Sequence, residues 1–419
     1  MAWLVIALLL LLILIGMPIG FALMIAAAIA MALSGIDLIL VPIQMFSGVN
    51  KVVLLAIPLF IFMGELMGAT SISDRIIGLA RALVGWMRGG LAHVNVVTSM
   101  FMAEMSGSAV ADAAVMSKIF VPSMEKQGYP KPFSAAVTAT SATLGIIIPP
   151  SIPMVLYGVT TNTSIKDLFI AGIIPGLLLG GAFMVTSYIF ARRKGYPVDE
   201  RFQPRRLGSA FASAFIPLLI PVLVVGGLIG GFVTPTEAAA VGVVAALIFG
   251  WAMRGDLNTA KVYRLASVTV RQTSVVMMII AGSAVLGQFL ANEQIPQKIA
   301  EGLGGLTDSF VLRMLLINVF LLLLGMFLHA SAAIIVVVPM LLPLAQQMNI
   351  DPVHFGVIVC LNLGIGQQTP PVTSVLLTVC SATGLKIEQV MGYCKWFILA
   401  MFVVLMIVSF WPQSALLLL

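Results

Sequence analysis

The stretch G-I-I-I-P-P-S-I-P (Gly145–Pro153) interrupts a long apolar segment. A second copy, G-Q-Q-T-P-P (Gly366–Pro371), places its proline pair 221 residues later. Proline removes a backbone donor and clashes with the preceding turn, so Pro149-Pro150 and Pro370-Pro371 are predicted to break the helices that carry them. In a bilayer, freed carbonyls and amides survive only where protein buries them or where they line a cavity. Broken helices in equivalent positions of two halves point to the binding site of a transporter.

The setting is membranous. Of 419 residues, 60% are hydrophobic and 9% charged, against about 25% charged in a soluble domain. The mean hydropathy is +1.12. Apolar segments without alternation of period two predict helices rather than a barrel. The net charge of +6 reads as an excess of basic residues in cytoplasmic loops. Met1-Ala2-Trp3 is apolar at once, so no removed signal peptide is expected. Cys360, Cys380 and Cys394 lack C-x-x-C spacing, and His93, His329 and His354 lack metal-ligand spacing. No nucleophile–base pair stands out either, which argues against an enzyme.

Working outward, the region 1–190 forms a first repeat. Leu4–Ile15 and Ile19–Leu33 read as two short spans, because one helix of about 45 Å would exceed a core of about 30 Å. Val52–Met67 is a span, and Ile72–Arg88 an amphipathic interfacial helix. Residues 91–127 form a re-entrant hairpin with Ser106-Gly107-Ser108 at its tip. Residues 133–160 hold the first break, and Leu168–Phe190 is a span. The basic stretch 191–210 is a cytoplasmic connector. Residues 211–419 repeat the plan: spans Phe211–Ile229, Ala238–Trp251 and Ser274–Leu290, an amphipathic segment Ile295–Leu306, a hairpin 311–346 with its tip at Gly325 to Ala330, a broken helix 355–379, and a closing span Trp396–Trp411. At the offset of 221, Pro122 falls on Pro343, Gly145 on Gly366 and Asp167 on Glu388.

An odd number of crossings per half inverts the second repeat. With the connector cytoplasmic, both termini are predicted periplasmic. All Lys and Arg residues except Lys51, Lys166, Lys298 and Arg313 then fall inside, in keeping with the positive-inside rule.

Helix C-termini at the tips and breaks offer carbonyls for a hard cation such as Na⁺, and helix N-termini offer amides for a carboxylate. No Lys or Arg lies there. Ser108, Thr143, Ser151 and Asn362 are candidate polar contacts for substrate. Glu104 and Asp112 flank the first tip, and His329 lies at the second. These three are candidates for coupling or for structural roles, since ionisable groups in a membrane are costly. Glu237, three residues after Thr234, reads as a helix cap. A simpler use of the same Pro, Gly and Ser residues is to kink helices and let them pack.

Together, S-G-S-A-V-A-D-A-A (Ser106–Ala114), L-G-I-I-I-P-P-S-I-P (Leu144–Pro153), A-I-P-L-F (Ala56–Phe60), G-G-L-A-H-V-N (Gly89–Asn95) and T-P-T-E-A-A-A (Thr234–Ala240) resemble the large membrane subunit of TRAP (tripartite ATP-independent periplasmic) transporters. The likeness runs along essentially the whole chain. It implies an all-α, inverted-repeat elevator in the bacterial inner membrane, a separate small membrane subunit, and a periplasmic solute-binding protein that delivers an organic acid. It also implies Na⁺ as the transported coupling ion. One Na⁺ site would involve Ser106, Gly145, Ile148 and Pro150, and the other Gly325, Gly366 and Thr369. Ala103 stands where some relatives carry a polar residue. A stand-alone Na⁺/carboxylate symporter of the same fold, and a channel, are the alternative readings.

Overall fold

The computed structural model describes residues 2–252, 257–295, 298, 302 and 307–419; the side chains of residues 2–4, 6, 10, 14 and 104–106 are outside that description. Every regular element among the described residues is helical. The first half contains α1 (Ala2–Leu14), α2 (Ile19–Leu33), α3 (Leu40–Val49), a 3₁₀ turn Val52–Leu55, α4 (Ala56–Gly68), α5 (Ile72–Val84), α6 (Gly90–Ser106), α7 (Ala109–Lys126), α8 (Lys131–Ala142) with a 3₁₀ turn Thr143–Ile146, α9 (Ile152–Thr161) and α10 (Ile165–Lys194). The second half contains α11 (Pro204–Ile229), α12 (Pro235–Ala252), α13 (Thr259–Asn292), α14 (Phe310–Phe327), α15 (Ala330–Gln347), α16 (Pro352–Gly366), α17 (Ser374–Thr383), α18 (Ile387–Phe410) and the short α19 (Gln413–Leu416).

These helices sort into two packed groups. In one, α13 lies along α2, α3 and α4, α12 lies on α4, and α11 lies on α5. In the other, α6–α10 pack with α14–α19. Within this second group the halves exchange partners: α7 packs on α17, the helix after the second break, and α15 packs on α9, the helix after the first. Contacts of α4 and α5 with α6, and of α13 with α15, join the groups.

By length and composition, seven described helices can cross a bilayer: α10–α15 and α18. Large apolar side chains such as Val222, Val275, Phe320 and Leu399 point outward from them, which a hydrocarbon solvent favours. The break between α1 and α2 falls at Gly16–Pro18 as the sequence predicts, with Gly16 at φ 86°. α5 is amphipathic: Ile72, Ile76, Leu79 and Ala80 are buried, while Asp74 is exposed.

Two expectations need revision, and a third falls largely outside the described residues. α10 runs on to Lys194 and α11 starts at Pro204, so the unwound connector is only Gly195–Gln203, because Ala191–Lys194 and Pro204–Ser209 continue their neighbours' helical ladders. The span expected at Ser274–Leu290 belongs to a helix of 34 residues. The amphipathic segment Ile295–Leu306 lies largely outside the described residues.

The connector is docked rather than free. Asp199 forms an ion pair with Arg81 (2.9 Å) and accepts from Gln127 Nε2 (2.6 Å), while its own N–H donates to Gly85 O (3.1 Å). Gly89 N–H and the Tyr129 hydroxyl both donate to Pro197 O, at 3.0 and 3.3 Å. With the Asp199 side chain only 4% exposed, its loss leaves the Arg81 and Gln127 donors without their acceptor. Asp199→Ala is expected to cost about 3 kcal/mol and to open residues 195–203 to proteolysis; thermal unfolding in detergent and limited digestion check this.

Candidate functional site

The first hairpin turns at two residues. Gly107, left-handed at φ 58°, closes α6, and Ser108 caps α7, its Oγ accepting from Ala111 N at 3.4 Å. Glycine is suited to both the conformation and the close contact: a Cβ on Gly107 would sit 3.0 Å from Pro150 O. A Cβ on Gly145 would lie 3.1 Å from Asp112 Oδ2 and 3.6 Å from Ala109 N. The first tip and the first break are therefore in contact, and Gly145, Pro150 and the buried Asp112 share one place. The side chains of Glu104 and Ser106 lie outside the described residues.

The break between α8 and α9 is held from within. Ser151 Oγ donates to Ile146 O at 2.5 Å and accepts from Met154 N at 3.4 Å, bridging the two sides of the interruption. Ile148 N–H closes on Leu144 O at 2.8 Å, and the Ile148 side chain packs over Gly176 of α10. Thr143 Oγ1 donates to Thr140 O at 2.5 Å. The hydroxyl protons of Ser151 and Thr143, candidate substrate contacts, are thus spent within the broken segment itself. Both Pro149-Pro150 and Pro370-Pro371 are cis.

The second half builds the same encounter differently. α14 continues through Phe327, so Gly325 lies inside its last turn and not at the tip, which is Leu328–His329. There Gly325 meets Gly366 backbone to backbone: a Cβ on Gly366 would collide with Gly325 C. Val372 N–H donates to Met326 O at 3.2 Å across the same contact. Thr369 Oγ1 donates to Ile365 O at 2.9 Å, which leaves its lone pairs as acceptors. His329 caps α15, Nδ1 accepting from Ser331 N at 3.4 Å. Asn362 is buried in a chain: its Nδ2 donates to Asn318 Oδ1 (2.8 Å), whose own Nδ2 donates to Ser409 Oγ (3.1 Å). It connects α16, α14 and α18.

The two breaks differ in exposure. Residues 147–151 are buried, whereas Pro370, Pro371 and Val372 are exposed, Val372 by 45%. Two interactions here carry no local sequence signature. Asn95 of α6 donates to Thr138 of α8 at 2.7 Å. Gln368, within the second break, donates to Ala139 O of α8 at 2.7 Å. The only signal for the latter was a pair of carboxamides, Gln367-Gln368, in an apolar context.

Away from the tips, the Thr234–Glu237 cap forms as expected: Glu237 Oε2 accepts from Thr234 N (2.7 Å) and Thr234 Oγ1 (2.8 Å).

The glycine contact gives a sharp expectation. Gly366→Ala drives a methyl into backbone that cannot yield and is expected to destabilise the protein by about 2 kcal/mol or more. Gly364→Ala, whose Cβ would meet only Ile146 Cδ1 at 3.6 Å, is expected to behave like the wild type. Thermal unfolding of the purified pair checks both.

Comparison with known proteins agrees with this architecture. The family model described as "Tripartite ATP-independent periplasmic transporter, DctM component" matches residues 6–414. The sialic acid TRAP transporter large permease SiaM of Vibrio cholerae is 38% identical over 408 residues, covering 96% of this chain and 95% of its own. The C4-dicarboxylate large permease DctM of Pseudomonas aeruginosa is 37% identical over 375 residues, covering 89% and 88%. The 2,3-diketo-L-gulonate large permease YiaN of Escherichia coli is 34% identical over 400 residues, covering 95% and 94%. Among solved structures, the YdaH transporter of Alcanivorax borkumensis shares the fold, with a TM-score of 0.59, 17% identity and 88% of each chain covered. A chain matched by the family model over nearly its whole length, with large permeases aligned end to end, belongs to the DctM family of TRAP transporter large permease subunits and is a transport protein rather than an enzyme.

Proposed function

We propose that this chain is the permease subunit of an importer for an organic acid anion, driven by Na⁺ and supplied by a periplasmic solute-binding protein. A small membrane subunit completes the complex in the bacterial inner membrane, with both termini in the periplasm. The observation that carries the reading is the paired contact of a hairpin and a broken helix in each half: Gly107 against Pro150 O, and Gly325 against Gly366. Each contact gathers helix ends and freed carbonyls at an interruption, which is the chemistry a dehydrated Na⁺ requires. Asp112 adds a carboxylate to the first. The relatives' substrates are acids by name: sialic acid, C4-dicarboxylates and 2,3-diketo-L-gulonate. With no Lys or Arg in residues 106–112, 143–153, 325–330 or 366–373, a bound anion would be held by helix N-termini, hydroxyls and the co-bound cation.

In this reading residues 1–190 and 211–419 are inverted repeats, and the second packed group moves against the first as an elevator. The reciprocal packing of α7 on α17 and α15 on α9 supports moving both sites together.

Proteoliposomes holding this chain and its small subunit are expected to take up the cognate acid only with an inward Na⁺ gradient and the binding protein present. Uptake without a binding protein would favour the stand-alone symporter, and flux indifferent to Na⁺ would favour a channel. Thr369→Ala removes one acceptor oxygen and is expected to raise the Na⁺ concentration for half-maximal uptake about tenfold with little change in melting temperature; unchanged Na⁺ activation would remove Thr369 from the site. Asp112→Asn is expected to weaken Na⁺ activation in the same assay, and full activity of that variant would leave Asp112 a structural role alone.

A further inference from the structure

The bond from Gln368 to Ala139 joins the two breaks, and its chemistry runs in one direction. In α8 the helical ladder ends at Thr143, whose N–H turns to Thr140 O as the chain tightens into a 3₁₀ turn. Ala139 O is thereby relieved of its ordinary donor four residues on. Gln368 Nε2 takes that place at 2.7 Å, from 229 residues away. Because a carbonyl can only accept, the amide's orientation is settled: nitrogen toward Ala139, oxygen away. Gln368 is 0% exposed, and its Oε1 meets no donor among the described residues. A buried carboxamide oxygen without a donor is costly, and its natural partner is a cation or a polar ligand atom. The next residue is Thr369, and Gly366 lies two before. On the other side, α16 packs against the Thr143–Ile146 turn, where a Cβ on Gly364 would sit 3.6 Å from Ile146 Cδ1. In the repeat register Gln368 corresponds to Ile147, so the first half holds no equivalent group.

We infer that Gln368 links the two cation sites: its Oε1 is a ligand of the second site, and its Nε2 positions the carbonyl-rich first break through Ala139. A cation on the amide oxygen draws electron density from nitrogen, which makes the N–H a stronger donor to Ala139 O. Occupancy of the second site then stiffens the helix end that forms the first, and the second Na⁺ is bound more readily. This rests on the Na⁺ reading above.

The test uses radiolabelled Na⁺ and the purified full chain with its small subunit. The wild type is expected to bind Na⁺ with a Hill coefficient approaching about 2, the number of sites. Gln368→Met, of similar length but without the amide, leaves Ala139 O unpaired and is expected to melt lower; at a temperature where its circular dichroism matches that of the wild type it is expected to bind with a coefficient of about 1. A second measurement needs no variant: in the wild type, Na⁺ should slow hydrogen exchange at residues 143–148 and 366–373 over the same concentration range. A cooperative Gln368→Met protein, or protection of the two segments over separate ranges, overturns the link while leaving the two sites standing. A wild type that binds no Na⁺ overturns the cation reading and the link with it.

Discussion

A peptide group freed from its helix inside an apolar medium must find a partner within the protein, and the second packed group of helices is arranged around that requirement. Two cis-proline breaks release carbonyls and amides where water is scarce. Ile146 O is met by Ser151, Met326 O by Val372 N–H, and Ala139 O by Gln368. The tips are treated likewise: Ser108 and His329 cap the helices that follow them. Such groups cost a few kcal/mol each when unpaired, so an unsupported break would anneal or unfold. Among the described residues, Gln368 Oε1 is left without a donor at the second break.

Close backbone approach is the second condition. Gly107 against Pro150, Gly145 against Ala109 N, and Gly325 against Gly366 bring main chain to within contact distance, and Asp112 Oδ2 closes on Gly145 as well. A site made largely of backbone depends on shape more than on side-chain identity. That is in keeping with the absence of Lys and Arg from the tips and breaks, and Gly172 and Gly176 on α10 leave room for Ile147 O and Ile148. The second packed group holds both proline breaks, and the docked connector ties α5 to α6, α7 and α10 by way of Asp199, Pro197 and Tyr196.

The halves share a plan but not a state. The first break is buried and the second exposes Pro370–Val372. Gln368 also joins them in one direction only. In the proposed transport cycle that asymmetry gives the second site a part in ordering the first, beyond simple duplication of a carbonyl cage.

Most of the fold was legible in the chain because its signals are local. Proline pairs mark breaks, Gly16–Pro18 separates α1 from α2, the charge spacing from Asp74 to Arg81 marks α5, and Thr234 with Glu237 marks a cap; each acts within a turn or two of itself. Helix limits are less legible: Gly325 reads as part of a tip although α14 continues past it, and 191–210 reads as one connector although α10 and α11 take up both its ends, because neither residue type nor charge stops a helix whose neighbours support it. The tertiary structure alone decided which freed carbonyl is met by which donor. That pairing joins Gln368 to Ala139 across 229 residues. A hydrogen bond over that distance depends on how two broken helices are packed together, and no local pattern of hydrophobicity or turn chemistry encodes it.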